Sequence, residues 1–206
     1  MVPVTRIAAL GVALALALAG CTTVTAPAPQ PTRATADAST PTPTPTPTPE
    51  IDIETGAPPA GTDAAIAWEA LMSPVGEYAA AASYQAVLDA YGPVEPYASI
   101  LAAELRHIDA LVRQLEKAGV AVPDNPYLGL IAAPASLAEA AQAWATGEID
   151  NVAMYDSLIA QASDASLVRV LDNLRSASLN SHLPLFEAAA ANGGTLTAEQ
   201  MSSVGS

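Results

Sequence analysis

Between Pro93 and Gly119, residues Tyr97, Ile100, Glu104, His107, Leu111 and Leu115 recur every three or four positions, the repeat of one face of an α-helix. A stripe of this kind must pack against other helices, so it dictates an interior. Two of its positions are polar. Glu104 and His107 form a Glu-x-x-His pair, and the i,i+3 spacing stacks both side chains on the inward face. A carboxylate and an imidazole in a core are costly unless they are paired, hydrogen-bonded or bound to metal. Whatever this chain folds into has to supply partners for them.

Other stretches repeat the pattern. A first helix starts near Thr62 or Asp63, either of which can cap it. Ser73-Pro74 reads as a second start, with Ser73 as N-cap and proline at the first helical position. From there Glu77, Ala81, Tyr84, Leu88 and Tyr91 form a stripe that Gly92-Pro93 terminates. The helix with Glu104 and His107 runs from about 95 to 118. Residues 120–134 contain three prolines and read as a long surface connection, with Tyr127, Leu128, Leu130 and Ile131 folding back over the core.

A third stripe, Leu137, Ala141, Trp144, Glu148, Val152, Tyr155 and Ile159, follows Ser136, with Glu139 completing a capping box. Gly147 either breaks this helix or lets a backbone or a ligand come close. Ser163 or Asp164 caps the last stretch, whose stripe is Leu167, Leu171, Leu174, Ser178, His182 and Leu185. Pro184 should kink it just past His182. The helix ends at Asn192-Gly193-Gly194, and 195–206 is expected to be a flexible tail. The fold expected is all-α, an up-down four-helix bundle over 62–194 with a long loop between its second and third helices.

The ends carry different information. Arg6 followed by the apolar run from Ile7 to Ala19 is too short for a comfortable membrane span and reads as a targeting segment over 1–20. Leu18-Ala19-Gly20-Cys21 matches the small residues and cysteine of a bacterial lipobox, so Cys21 is the expected lipidation site, and the expected location is extracytoplasmic, anchored to the cell membrane. Cys21 is the only cysteine, which excludes an intramolecular disulfide and a cysteine-based metal site. Residues 21–61 are rich in Pro and Thr, and the alternation from Thr40 to Pro49 favours an extended polyproline stalk. A formal net charge of -14 argues against nucleic acid as a partner.

Taken in helix order, the inward polar groups are Glu77, then Glu104 with His107, then Glu148, then His182. Carboxylate-bridged di-metal bundles use one Glu from each of two helices and one Glu-x-x-His from each of the others. Leu179 stands where the last Glu would be. Five such groups suit Fe or Mn, with one ion at Glu77, Glu104 and His107 and a weaker second position near Glu148 and His182. Asp150 and Asn151 are nearby substitutes. The competing reading is a bundle without metal, whose buried carboxylates bond to His107, His182, Arg106, Tyr84 and Tyr155. That second protein would be a non-catalytic envelope module, presenting the bundle to an envelope protein or the cell wall.

At these residues the sequence resembles the ferritin-like family catalogued as domain of unknown function 2202. The stretch from Glu77 to Gly92, with Tyr84 eight residues before the glycine, is similar to that family's first-helix motif. Glu104-x-Arg-His-x-Asp-Ala-Leu111 is similar to its most distinctive motif, and Gly119 to Pro126 to the turn that follows. Glu148 falls on its third-helix Glu, and His182-Leu183 with Phe186 match its closing His-Leu-x-x-Phe. The chain departs from it in carrying only Glu77 where the family has an acidic run, and Asn151 where it has Asp. The resemblance implies a ferritin-like fold related to rubrerythrin-type proteins, in a family with no settled activity.

Overall fold

The computed structural model describes residues 53–204. The targeting segment, Cys21 and most of the stalk lie outside the described residues. Among the described residues the secondary structure is entirely helical, and no helix is long and apolar enough to cross a membrane.

Helix α1 spans Asp63–Met72 and is capped by Thr62, whose side chain accepts from the Ala65 N–H at 3.1 Å. Asp63 is thereby freed for a longer tie: its carboxylate accepts from the Ser163 N–H at 2.7 Å and its hydroxyl at 2.6 Å. Ser73 does not start the next helix. It closes α1, its N–H donating to Glu69 O, and α2 begins at Glu77 and runs to Tyr91. The reason is the tight turn between them. A Cβ on Gly76 would lie 2.6 Å from Ala70 O, so only glycine lets the chain pass that close and places Glu77 in the first buried turn.

Helix α3 spans Tyr97–Lys117 and buries Tyr97, Ile100, Glu104, Ile108, Leu111 and Leu115, the stripe read from the sequence with Ile108 added and His107 only partly buried. Gly119, at φ +76, ends it. The connection that follows is pinned by Tyr127, whose hydroxyl donates to Met72 O at 2.7 Å, and by Asn125, whose side chain donates to Tyr78 O at 2.8 Å. Only part of it folds inward as expected. Tyr127 is buried, but Leu128 and Leu130 are about half exposed, at 54% and 49%.

Helix α4, Leu137–Ile159, is continuous through Gly147, so the alternative of a break there is not realised. Ser136 caps it by accepting from the Glu139 N–H at 3.2 Å. Helix α5, Ala165–Ala177, is capped by Asp164 and leads into a π turn, Ser178–His182, and then α6, Leu183–Ala191. The π turn stands where a proline kink was expected. Pro184 has no N–H to continue the α ladder, and the wider turn before it takes up the mismatch, with Leu183 N–H donating to Ser178 O. The tail is not flexible throughout: Leu196 is buried, its N–H donates to Glu95 O at 2.9 Å, and Ala198–Val204 form helix α7.

The helices pack as α2 on α3, α4 on α5 and α6, and α1 on α3. Their shared apolar surface forms two main clusters. One holds Trp68, Leu71, Leu111, Leu115, Leu171 and Leu174, and the other Tyr84, Tyr97, Ile100 and Phe186. Burying each such leucine contributes roughly 1.5–3 kcal/mol. Into this interior α2, α3, α4 and the π turn each send polar groups.

Candidate metal centre

All five candidate ligands meet. Glu77, at the N-terminal end of α2, Glu104 and His107 on α3, Glu148 on α4 and His182 on the π turn have their polar atoms in one cluster. Glu77, Glu104, Glu148 and His182 are no more than 3% exposed. His107 is the most open member, its side chain 16% exposed.

The cluster consists of two overlapping triads. In one, Glu77, Glu104 and His107 bring ligand atoms within 4.8 Å of one another; in the other, Glu104, Glu148 and His182 do the same. Glu104 belongs to both. Its Oε2 pairs with His107 Nδ1 at 2.8 Å, and its Oε1 faces His182 Nδ1 at 3.1 Å. His107 Nδ1 also lies 3.5 Å from Glu77 Oε2, and His182 Nδ1 lies 3.5 Å from Glu148 Oε1. The two imidazoles are stacked, with centroids 5.7 Å apart.

Two tyrosines hold the outer carboxylates. The Tyr84 hydroxyl donates to Glu148 Oε1 at 2.6 Å, and the Tyr155 hydroxyl donates to Glu77 Oε1. The arrangement is reciprocal, because Tyr84 follows Glu77 on α2 and Tyr155 follows Glu148 on α4. Each helix carries Glu-x6-Tyr, two turns apart on one face, and each tyrosine serves the other helix's glutamate. The recurrence of that spacing on two helices was the sequence signal for this pairing, which the stripes alone did not reveal.

The electrostatics follow from burial and charge. Burial, reinforced by the neighbouring Glu104 charge, raises the Glu77 carboxyl well above its ordinary value. Burial acts on Glu104 in the same direction but is outweighed by the close approach of Glu77, His107 and His182 to its carboxylate, which holds it below the usual carboxylate range. Burial opposes charge on His107, yet its hydrogen bond to Glu104 and the nearby Glu77 carboxylate lift it to about 9. The same competition, with Glu104 and Glu148 as partners, raises His182 to about 10. Tyr84 and Tyr155 are driven well above 10 by burial and by the adjacent carboxylates, so both stay protonated donors.

Four atoms of the cluster stay unsatisfied. Glu77 Oε2, Glu104 Oε1, Glu148 Oε2 and His182 Nδ1 are buried without a hydrogen-bond partner. The short His182–Glu104 distance is thus a charge contact without hydrogen-bond alignment. Orphaned buried oxygen and nitrogen atoms are rare in folded proteins, and four in one cluster, all of metal-ligating type, fit a cation.

The remaining candidates do not join. Asp150 is exposed and is not part of the cluster. Asn151 is buried, but in the amide orientation that satisfies it, its nitrogen donates to Val75 O at 2.7 Å and Gly147 O at 3.3 Å. Arg106 is exposed and donates to Ala102 O, so it pairs with none of the buried carboxylates. Leu179 is 37% exposed, whereas Ser178 is buried with His182. In a π turn the residue four back, not three, comes nearest the same face, so the position of Leu179 is not where a further inward carboxylate would stand. Cys21 lies outside the described residues. Searches of protein-family models, of curated proteins and of solved structures find no match to this chain, so the reading of the centre stands on these residues and their geometry.

Proposed function

We propose that this protein is a membrane-anchored, ferritin-like metal-binding protein whose buried Glu/His cluster holds Fe or Mn. The observation that carries this reading is the pair of triads sharing Glu104, with four orphaned ligand atoms between them. Glu77 and His107 would hold one ion, Glu148 and His182 a neighbouring one, and Glu104 would serve both. Hard or borderline cations suit this set, since it offers only carboxylate oxygen and imidazole nitrogen. A bound iron or manganese ion would supply one-electron redox chemistry, which these side chains lack on their own. The residues themselves orient the ligands through the two tyrosine hydroxyls, screen the centre from water and give up imidazole protons when metal enters.

On this reading α2, α3, α4 and the α5–π–α6 unit are the four members of a ferritin-like bundle, with α1 packed outside it. The chain then stands beside the family of domain of unknown function 2202, on the motifs around Glu104 and His182. The lipid anchor at Cys21 and the Thr/Pro stalk would carry the bundle outside the cell membrane. Replacing Cys21→Ser should then release the protein from the membrane fraction.

The experiment for the centre is metal analysis of the purified protein after loading with Fe or Mn, beside a Glu104→Ala, His107→Ala variant. Near-stoichiometric metal in the first and little in the second supports the reading; traces in both refute it.

One observation favours a second reading, an envelope module without metal. The imidazoles and carboxylates already neutralise one another at 2.8–3.5 Å, so the cluster has internal partners. Thermal melts separate the two. Metal that binds only the folded state raises the melting temperature, and a module with a degenerate site shows no shift.

A further inference from the structure

A cavity of about 270 Å³ lies in the seam between α2 and α4, under residues 131–134 of the long connection. Ala80 of α2, Trp144 and Gly147 of α4, and Ile131 and Pro134 above them make it largely apolar. Gly147 accounts for its shape. A Cβ there would come within 2.8 Å of the Trp144 ring, so glycine lets the indole pack directly against the helix beside the cavity it lines. Asp150 is the only charged residue among those that line the cavity, and among the described residues it has no ionic or hydrogen-bonding partner. No lysine or arginine lines it.

We infer that this cavity binds a small organic cation with a flat apolar body, the body lying against Trp144 and the charge beside Asp150. The chemistry is that of amine recognition. An indole face attracts a cation, a free carboxylate at the same site selects for it, and the chain's formal net charge of -14 repels anions. The volume admits one small ring compound. The occupant would rest on the ring that packs against Tyr84, at a centroid distance of 4.6 Å, so the cavity shares a wall with the donor to Glu148. Binding does not depend on metal in the Glu/His cluster.

Tryptophan fluorescence tests this directly. The chain has two tryptophans, and Trp68→Phe leaves Trp144 as the sole reporter. Benzylamine, a cation at neutral pH, should give a saturable change, with benzyl alcohol about two- to fivefold weaker and benzoate weaker still. Asp150→Asn should erase the preference for the cation. Ala143→Phe, at an exposed position lining the cavity, should abolish saturable binding while leaving the fold intact by circular dichroism. The Glu104→Ala, His107→Ala variant should bind benzylamine as the parent does, which separates this claim from the metal reading. A response equal for all three probes, one unchanged by Ala143→Phe, or no saturable response would overturn it.

Discussion

The Tyr84 hydroxyl on α2 donates to Glu148 Oε1 on α4 at 2.6 Å, and Tyr155 on α4 returns the same bond to Glu77 on α2. Each bond fixes one carboxylate oxygen and leaves the other, Oε2, without a hydrogen-bond partner. Outer hydrogen bonds of this sort orient ligands, and their loss lowers metal affinity by about 10- to 100-fold. Tyr84→Phe and Tyr155→Phe should each weaken Fe or Mn binding by that order in a chelator competition. Each should also cost about 1–3 kcal/mol of stability, because a buried carboxylate oxygen loses its donor.

The metal-free protein should lose stability as the pH rises. His107 and His182 are held at about 9 and about 10 in the folded protein, above the ordinary imidazole value near 6.5. Between those values the folded state binds more protons than the unfolded one, so the stabilisation is full below about pH 6.5 and gone above about pH 10. Glu77, also raised, acts in the same direction over the range above the ordinary carboxylate value. Glu104, lowered, contributes stability that disappears only in acid. Melting temperatures of metal-free protein from pH 6 to 10 should fall, and His107→Gln with His182→Gln should flatten the slope.

Metal affinity should move the opposite way. An imidazole must be neutral to coordinate, and both are held protonated near neutrality, so metal has to displace protons. Affinity should rise from pH 6 to 9. Calorimetry in buffers of different ionisation enthalpy should show net proton release on binding, and its absence would count against histidine ligation.

The π turn makes a positional prediction. Leu179 is 37% exposed and Ser178 is buried. Leu179→Glu should therefore leave metal content and affinity within about twofold of the parent. A gain of metal in that variant would mean that the turn does not hold the register described.

Gly194 packs the segment after α6 against the start of α4. Its φ is +104, and a Cβ there would lie 2.1 Å from the Leu137 carbonyl carbon at the start of α4. Gly194→Ala should destabilise by about 3 kcal/mol or more, measured by urea unfolding, with no direct effect on metal affinity.

Much of the interior was legible in the sequence because helical periodicity is a strong signal. The stripes through Glu77, Glu104, His107, Glu148 and His182 turned all five groups inward, and the structure brings them within contact. What was not legible depends on close approach. Ser73-Pro74 has the composition of a helix start, but the backbone contact at Gly76 decides where α2 begins. An i,i+3 rule assumes α geometry, so it misplaced the partner of His182 once Pro184 favoured a π turn. Asn151 looked like a ligand by type, and its amide is instead used on the Gly147 carbonyl one turn back on α4 and on the Val75 carbonyl before α2, the second a pairing no spacing reveals.

The central claim is that Glu104 serves two metal positions, and stoichiometry tests it most directly. Purified protein loaded with Fe or Mn should retain up to two ions, Glu77→Ala should retain the one held by Glu148 and His182, and Glu104→Ala should lose both. A parent that retains no metal, or a Glu104→Ala variant that keeps the parent's full content, would contradict the account.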